Sequence, residues 1–302
     1  TLSNARVITD VDATVVAESL LTTAQSKALK DEPAVKVESY TGAAGFGAGI
    51  GAAVSVAEMN NIVSVKLAGD QRYNSSLNAS AADSLGLSVT ADGAAFGAVA
   101  AGLVIGTGLR DSEVGVSVAA DSKLSANGIN LSAQGAGALE VTTVGAAGGL
   151  LLAGTAVAAL GIDSTRVTTE VGDRTILDGG ANGVLVQASA APQIDVSATG
   201  VSVSGGAGVG ASYARAQSSS KVTAKLGNAV DVKGTGGLKI LAKLDHQRTG
   251  SEVDPDEAAV RARSMAGTGG LYFSANGSVA EAIKSSSVRA TTGTDLKLPS
   301  GR

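Results

Sequence analysis

Apolar and polar positions along this chain alternate with a period of two, and the alternation returns in the same order of blocks. A short triplet opens each block: Val35/Val37, Leu87/Val89, Leu139/Val141, Ile194/Val196 and the weaker Val260/Ala262. A charge-free window rich in Gly and Ala follows. It ends abruptly at Glu58, Arg110, Asp163, Arg215 and Glu281, spaced 52, 53, 52 and 66 residues apart. After a polar break (Asn60-Asn61, Asp111-Ser112, Asp163-Ser164, Ser218 to Ser220, Ser285 to Ser287) comes a second alternating run. It reads Val63/Val65/Leu67, Val114/Val116/Val118, Val167/Thr169/Val171, Val222/Ala224/Leu226 and Val288/Ala290/Thr292. A turn with Asn or Gly leads to a third run: Leu77/Ala79, Ile129/Leu131/Ala133, Val184/Val186/Ala188, Leu238/Ile240/Ala242 and Leu296/Leu298. Period-two alternation predicts strands, and self-similarity near 52 residues predicts a stacked repeat. The reading is all-β: a parallel β-solenoid (β-helix) of about five units over residues 35–302. Each unit is either one wide coil or two narrow ones of about 26 residues.

The charge-free windows admit other readings, and parity decides among them. Residues 141–162 are long enough to cross a bilayer as a helix, which needs about 20 apolar residues. Their equivalents argue otherwise, since 197–214 carries Ser197, Ser202, Ser204 and Ser212, and 264–280 carries Ser274, Asn276 and Ser278. Copies of one unit should share one environment, so no membrane span is expected. In the first window Phe46, Ala48, Ile50, Ala52, Val54 and Val56 alternate with Gly47, Gly49, Gly51, Ala53, Ser55 and Ala57. That is strand parity, and interior glycines would each cost a helix about 1 kcal/mol. One face is apolar and the other nearly flat; the flat face, which permits close approach of a second sheet, is expected inside. Leu150, Leu151 and Leu152 break the parity of the third window.

Both ends depart from the pattern. Residues 1–34 read as an N-terminal cap or the end of a preceding repeat. They include a short amphipathic helix over 17–30, running through Leu20, Leu21 and Leu29 before Pro33. An insertion at about 246–257 stretches the last period to 66. Such elements suit the ends of solenoids, where exposed core needs covering.

Composition narrows the function. With 41 Gly, no Cys, no Trp, three Phe and four Tyr among 302 residues, the core must be built from Ala, Val, Leu and Gly. Aromatics, which usually bury about 150–250 Å² each, contribute little. The net charge of −4 is interspersed, with no basic stripe interleaved with aromatics, so nucleic acid is not a partner. Lack of Cys removes disulfides and thiolate metal sites and suits a secreted bacterial surface protein. No basic segment followed by an apolar one opens the chain, and the repeat is already running there, so a fragment of something longer is expected.

The order "strand, Gly-Ala window, polar break, V-x-V/A-x-L, turn, L-x-V-x-A", carried by stretches such as 45–65 and 205–226, resembles the repeats of large secreted bacterial adhesins. Leukotoxin-type and filamentous-haemagglutinin-like surface proteins are the nearest likeness, over roughly residues 35–298. The resemblance implies an elongated solenoid that presents or spaces binding modules at the cell surface, and it transfers no functional residues. Two functions follow as expectations. The chain is a stalk or adhesive segment of a giant secreted surface protein, touching neighbouring repeats and a host or surface ligand. Alternatively it is a subunit of an extracellular filament or matrix, joined end to end by strand pairing.

Candidate chemistry is sparse. The single His, His246, is followed by Glu252, Asp254, Asp256 and Glu257. A lone His without Cys makes a poor transition-metal site, whereas Asp254, Asp256 and Glu257 form a weak candidate Ca²⁺ set of oxygen ligands. Ca²⁺-roll nonapeptides are absent, and Asp178-Gly179-Gly180-Ala181-Asn182-Gly183 reads as turn chemistry with Asn and Gly at positive φ. There is no phosphate-loop lysine and no nucleophile elbow. Charges fall singly at strand ends and Thr residues do not form an array, so neither a polysaccharide-cleaving enzyme nor an ice-binding face is expected. No catalytic residue and no cofactor is assigned.

Overall fold

The computed structural model describes residues 5–17 and 20–26 as backbone strands, and residues 33–245 and 259–299 with their side chains. The described residues are all-β: 15 strands form a single parallel sheet, an arrangement compatible with a β-solenoid.

The blocks read from the sequence are ladder partners. Val35, Leu87, Leu139, Ile194 and Val260 lie side by side on successive layers. So do Val63, Val114, Val167, Val222 and Val288, and Leu77, Ile129, Val184 and Leu238. Neighbouring strands are therefore a full block apart, and among the described residues no pairing joins half-blocks of about 26 residues. Leu296 and Leu298 are the exception. Lys297 bridges to Asp231, which places them beside the short strand Asp231–Lys233 and not beside Leu238.

The helix expected over 17–30 is not formed. Leu20–Ser26 is a strand paired with Leu77–Asp83, with Leu20, Thr22 and Ala24 opposite Leu77, Ala79 and Ala81. Leu-Leu-Thr-Thr contains β-branched residues that favour strand, and the neighbouring strand offers each backbone group a partner that a lone helical turn lacks.

In each layer an outbound limb faces a return limb. Residues 139–149 run out, the chain reverses at Leu150-Leu151, and residues 152–171 come back. A Cβ on Gly145 would meet Val157, and one on Gly161 would meet Val196, so the limbs touch through side chains while running in opposite directions. The parity break at Leu150–Leu152 is this reversal. One layer earlier Ala98 alone fills the place of Leu150 and Leu151, and the ladder shifts between Gly97 and Val99.

The return limb is followed by a corner and a short strand such as Ile176–Asp178. At that corner Asp121, Arg174 and Ala229 hold φ of 59°, 56° and 52°. Left-handed backbone costs a non-glycine residue about 1–2 kcal/mol. Each N–H is repaid by a carbonyl one layer on: those of Asp173, Asn228 and Thr294.

Two large apolar cores and a small alanine cluster fill the space between the limbs. The wider, near the corner, stacks Val114, Val167, Leu131, Val186 and Leu226 with their neighbours. The other stacks Leu87, Leu139, Ile194, Val104 and Val157. Each fully buried Val or Leu contributes about 1.5–3 kcal/mol. Towards the reversal the protein thins to a blade. There the flat face is inside, as expected: Gly51, Ala53, Ser55 and Ala57 are buried, while Ile50 keeps 76 % of its surface exposed. Contact at short range between small residues replaces bulk as the cohesive element of the blade.

Candidate functional site

What the sequence reads as a polar break is no interruption. Ala48–Tyr73, Leu87–Val118 and Ala207–Leu226 each run through it as strand. It forms a polar layer buried between the two cores. Asn61, Ser112, Thr165 and Ser220 share one inward ladder position, and Arg110, Asp163 and Ser218 share another. Asp83 enters from the facing wall at the end of Leu77–Asp83.

Arg110 ties three strands together. Its Nη2 donates to Asp83 Oδ2 at 2.9 Å, and its Nη1 donates to Asp163 Oδ1 at 2.6 Å and to Thr165 Oγ1 at 3.1 Å. Asp83 also accepts from Asn61 Nδ2 at 2.8 Å, from the Ser112 hydroxyl and from the Leu85 N–H at 3.1 Å. Gly137 leaves the room, since a Cβ there would lie 2.3 Å from Nη2. Both carboxylates and the guanidinium are shut off from solvent.

One buried cation faces two buried carboxylates, and the balance shows at Asp163. Burial pushes its carboxyl above the ordinary carboxylate range, against the lowering pull of Arg110 and Thr165. The 2.6 Å contact is the geometry of an ion pair, yet desolvation decides the direction. A carboxyl whose folded pKa lies above its unfolded one contributes its full stability below the unfolded value and loses it as pH rises through the folded value. Asp163→Asn is therefore expected to gain stability relative to wild type between about pH 4 and pH 7. Urea titrations at both pH values measure it; a relative loss at the higher pH would reverse the sign.

The side chains of the layer are buried and bond chiefly to one another. What it does is select a register. Sliding the return limb by two residues towards the reversal would set Arg110 in the column of Ala57, Gly161 and Ala216, where an unpaired charge is very costly.

On the outer side of this layer lies a shallow groove of about 400 Å³. Asp111, Glu113, Arg166 and Lys221 line it with Ser164, Ser219, Ser285 and Ser287. It presents hydroxyls and both signs of charge without an aromatic platform. The candidate Ca²⁺ set Asp254, Asp256 and Glu257, and His246, lie outside the described residues. Among the described residues no group of three or more His, Cys, Asp or Glu is placed to hold a metal. In the turn at 178–183 the positive φ values belong to Gly180 and Gly183, not to Asn182. No helix among the described residues is long and apolar enough to cross a membrane.

Compared with protein-family models, curated proteins and solved structures, the chain matches none.

Proposed function

We propose that the chain is a parallel β-solenoid of about five units, a structural and adhesive segment of a large secreted cell-surface protein. The reading rests on one observation above all. Side chains of one kind recur at the same ladder position from layer to layer, as in the inward column Val35, Leu87, Leu139, Ile194 and Val260. Such a column serves height and stiffness, and each further unit adds about 4.8 Å along the axis. The buried polar layer fits the same purpose, because a spacer needs one register and no reaction.

A second reading, the filament subunit, is favoured by the outermost strands. Among the described residues Val260–Gly270 pairs only with Val184–Ser204, and Phe273–Thr291 only with Ala207–Leu226. Their outer edges are templates for a further strand. Sedimentation velocity and negative-stain microscopy over a concentration series separate the two. For a stalk segment the particle does not lengthen without limit as concentration rises. Fibres of uniform width that grow with concentration would replace this reading with the filament.

A further inference from the structure

The blade is apolar on the wrong side for a free surface. On the return limb, four consecutive outward positions in each of five layers carry no charge, from Ala48–Val54 across to Phe273–Val279. Ile50, Val54, Leu103, Val209, Phe273 and Val279 keep 43 to 76 % of their surface exposed. The patch measures about 20 Å by 20 Å by strand spacing and rise. That is a footprint of about 400 Å², from which exposed aliphatic and aromatic side chains stand out. Free monomers rarely expose contiguous apolar patches beyond a few hundred Å².

We propose that this face is covered by the same face of a second copy, giving a closed two-fold dimer distinct from any end-to-end joining. Three observations favour this occupant. The patch supplies a large share of what a stable dimer buries, roughly 800 Å² per partner. The face carries side-chain ridges at the fixed ladder spacing, so an identical face offers matching grooves, as a self-complementary two-fold interface requires. The patch also has the anatomy of an interface. Its centre is uncharged, and its border on the corner side holds Glu58, Asp111, Arg215 and Glu281, the last two within 3.7 Å of each other and Glu281 accepting from the Tyr213 hydroxyl.

A lipid surface is the competing occupant, and the outermost strands argue against it. Sinking the blade into hydrocarbon would strip water from the edge of Phe273–Thr291 that no described strand pairs. Face-to-face pairing leaves that edge wet.

Light scattering with size exclusion and sedimentation equilibrium of the whole chain test the proposal. The expected result is a doubling of mass that stops at two, with Kd below about 10 µM. The outward triple variant Ile50→Lys, Leu103→Lys, Val209→Lys is expected to stay folded by circular dichroism and to weaken association at least about 100-fold. A milder variant, Ile50→Thr, Val54→Thr, Val209→Thr, keeps a β-favouring shape and is expected to weaken it about tenfold. A wild-type chain that remains monomeric at about 100 µM would overturn the proposal. So would a doubling that survives both variants, or a monomer that floats with phosphatidylcholine vesicles and loses that binding in the lysine variant.

Discussion

Replacing Arg110 by Met is expected to lower the unfolding free energy by about 3–5 kcal/mol, the usual cost of removing one partner from a buried ion pair. The guanidinium spans three layers, reaching Asp83 on one wall and Asp163 and Thr165 on the other. Without it two carboxylates stay buried with no cation between them, and the hydrogen-bond set around Asp83 loses its charge balance. Arg110→Met combined with Asp83→Asn and Asp163→Asn is expected to recover most of the loss. That recovery is an interaction among touching residues and so departs from additivity. The network is imperfect as well: Arg110 Nε and Asn61 Oδ1 are buried without a partner. Its worth therefore lies in register more than in raw stability. Urea midpoints and slopes for the single and triple variants measure both claims. If Arg110→Met costs no more than Arg174→Met at the exposed pair with Asp121, the layer does not pin the fold.

How much of this was legible in the sequence depends on what local patterns report. Alternation reports inside and outside, so the ladder triplets correspond from block to block, and Leu87, Leu139 and Ile194 do stack. The charged residues that close the windows mark the repeat less faithfully. Arg110 stands opposite Asp163, and Arg215 opposite Glu281, but Glu58 stands opposite Leu109 and Arg215 opposite Leu160. Charge spacing follows the block length without fixing the register.

The polar layer was missed for a physical reason. Asn61 or Ser112 inside a strand looks locally like a loop, and its partner Asp83 belongs to another run of the chain. The available signal was the opposite charge of Arg110 and Asp163, 53 residues apart at one inward parity. The helix over 17–30 failed because amphipathic spacing cannot see a neighbouring strand that offers Leu20 a ladder place beside Leu77.

Gly208→Val is expected to cost about 3 kcal/mol, at the upper end of overpacking penalties. The blade holds together because glycine lets one limb approach the backbone of the other. A Cβ on Gly208 would lie 2.7 Å from the Gly269 carbonyl oxygen, and one on Gly51 would lie 2.8 Å from that of Ala94. The obstacle is backbone, which cannot rotate away as a side-chain end can, so relief requires the limbs to part. Between Gly49 and Gly208 on the same inward column sit only Ala100 and Ala153.

The outward neighbour makes the control. Val209 keeps 45 % of its surface exposed, and Val209→Ala is expected to change the stability of the isolated chain by no more than about 0.5 kcal/mol. Urea denaturation at concentrations below self-association compares the two, and amide exchange over residues 201–214 reports whether the limbs separate. Equal tolerance of both changes would mean that the limbs stand further apart than glycine contact implies. A large gap would mean that this blade inverts the usual rule, with small residues cohering inside and the bulky aliphatic ones left outside, free to bind.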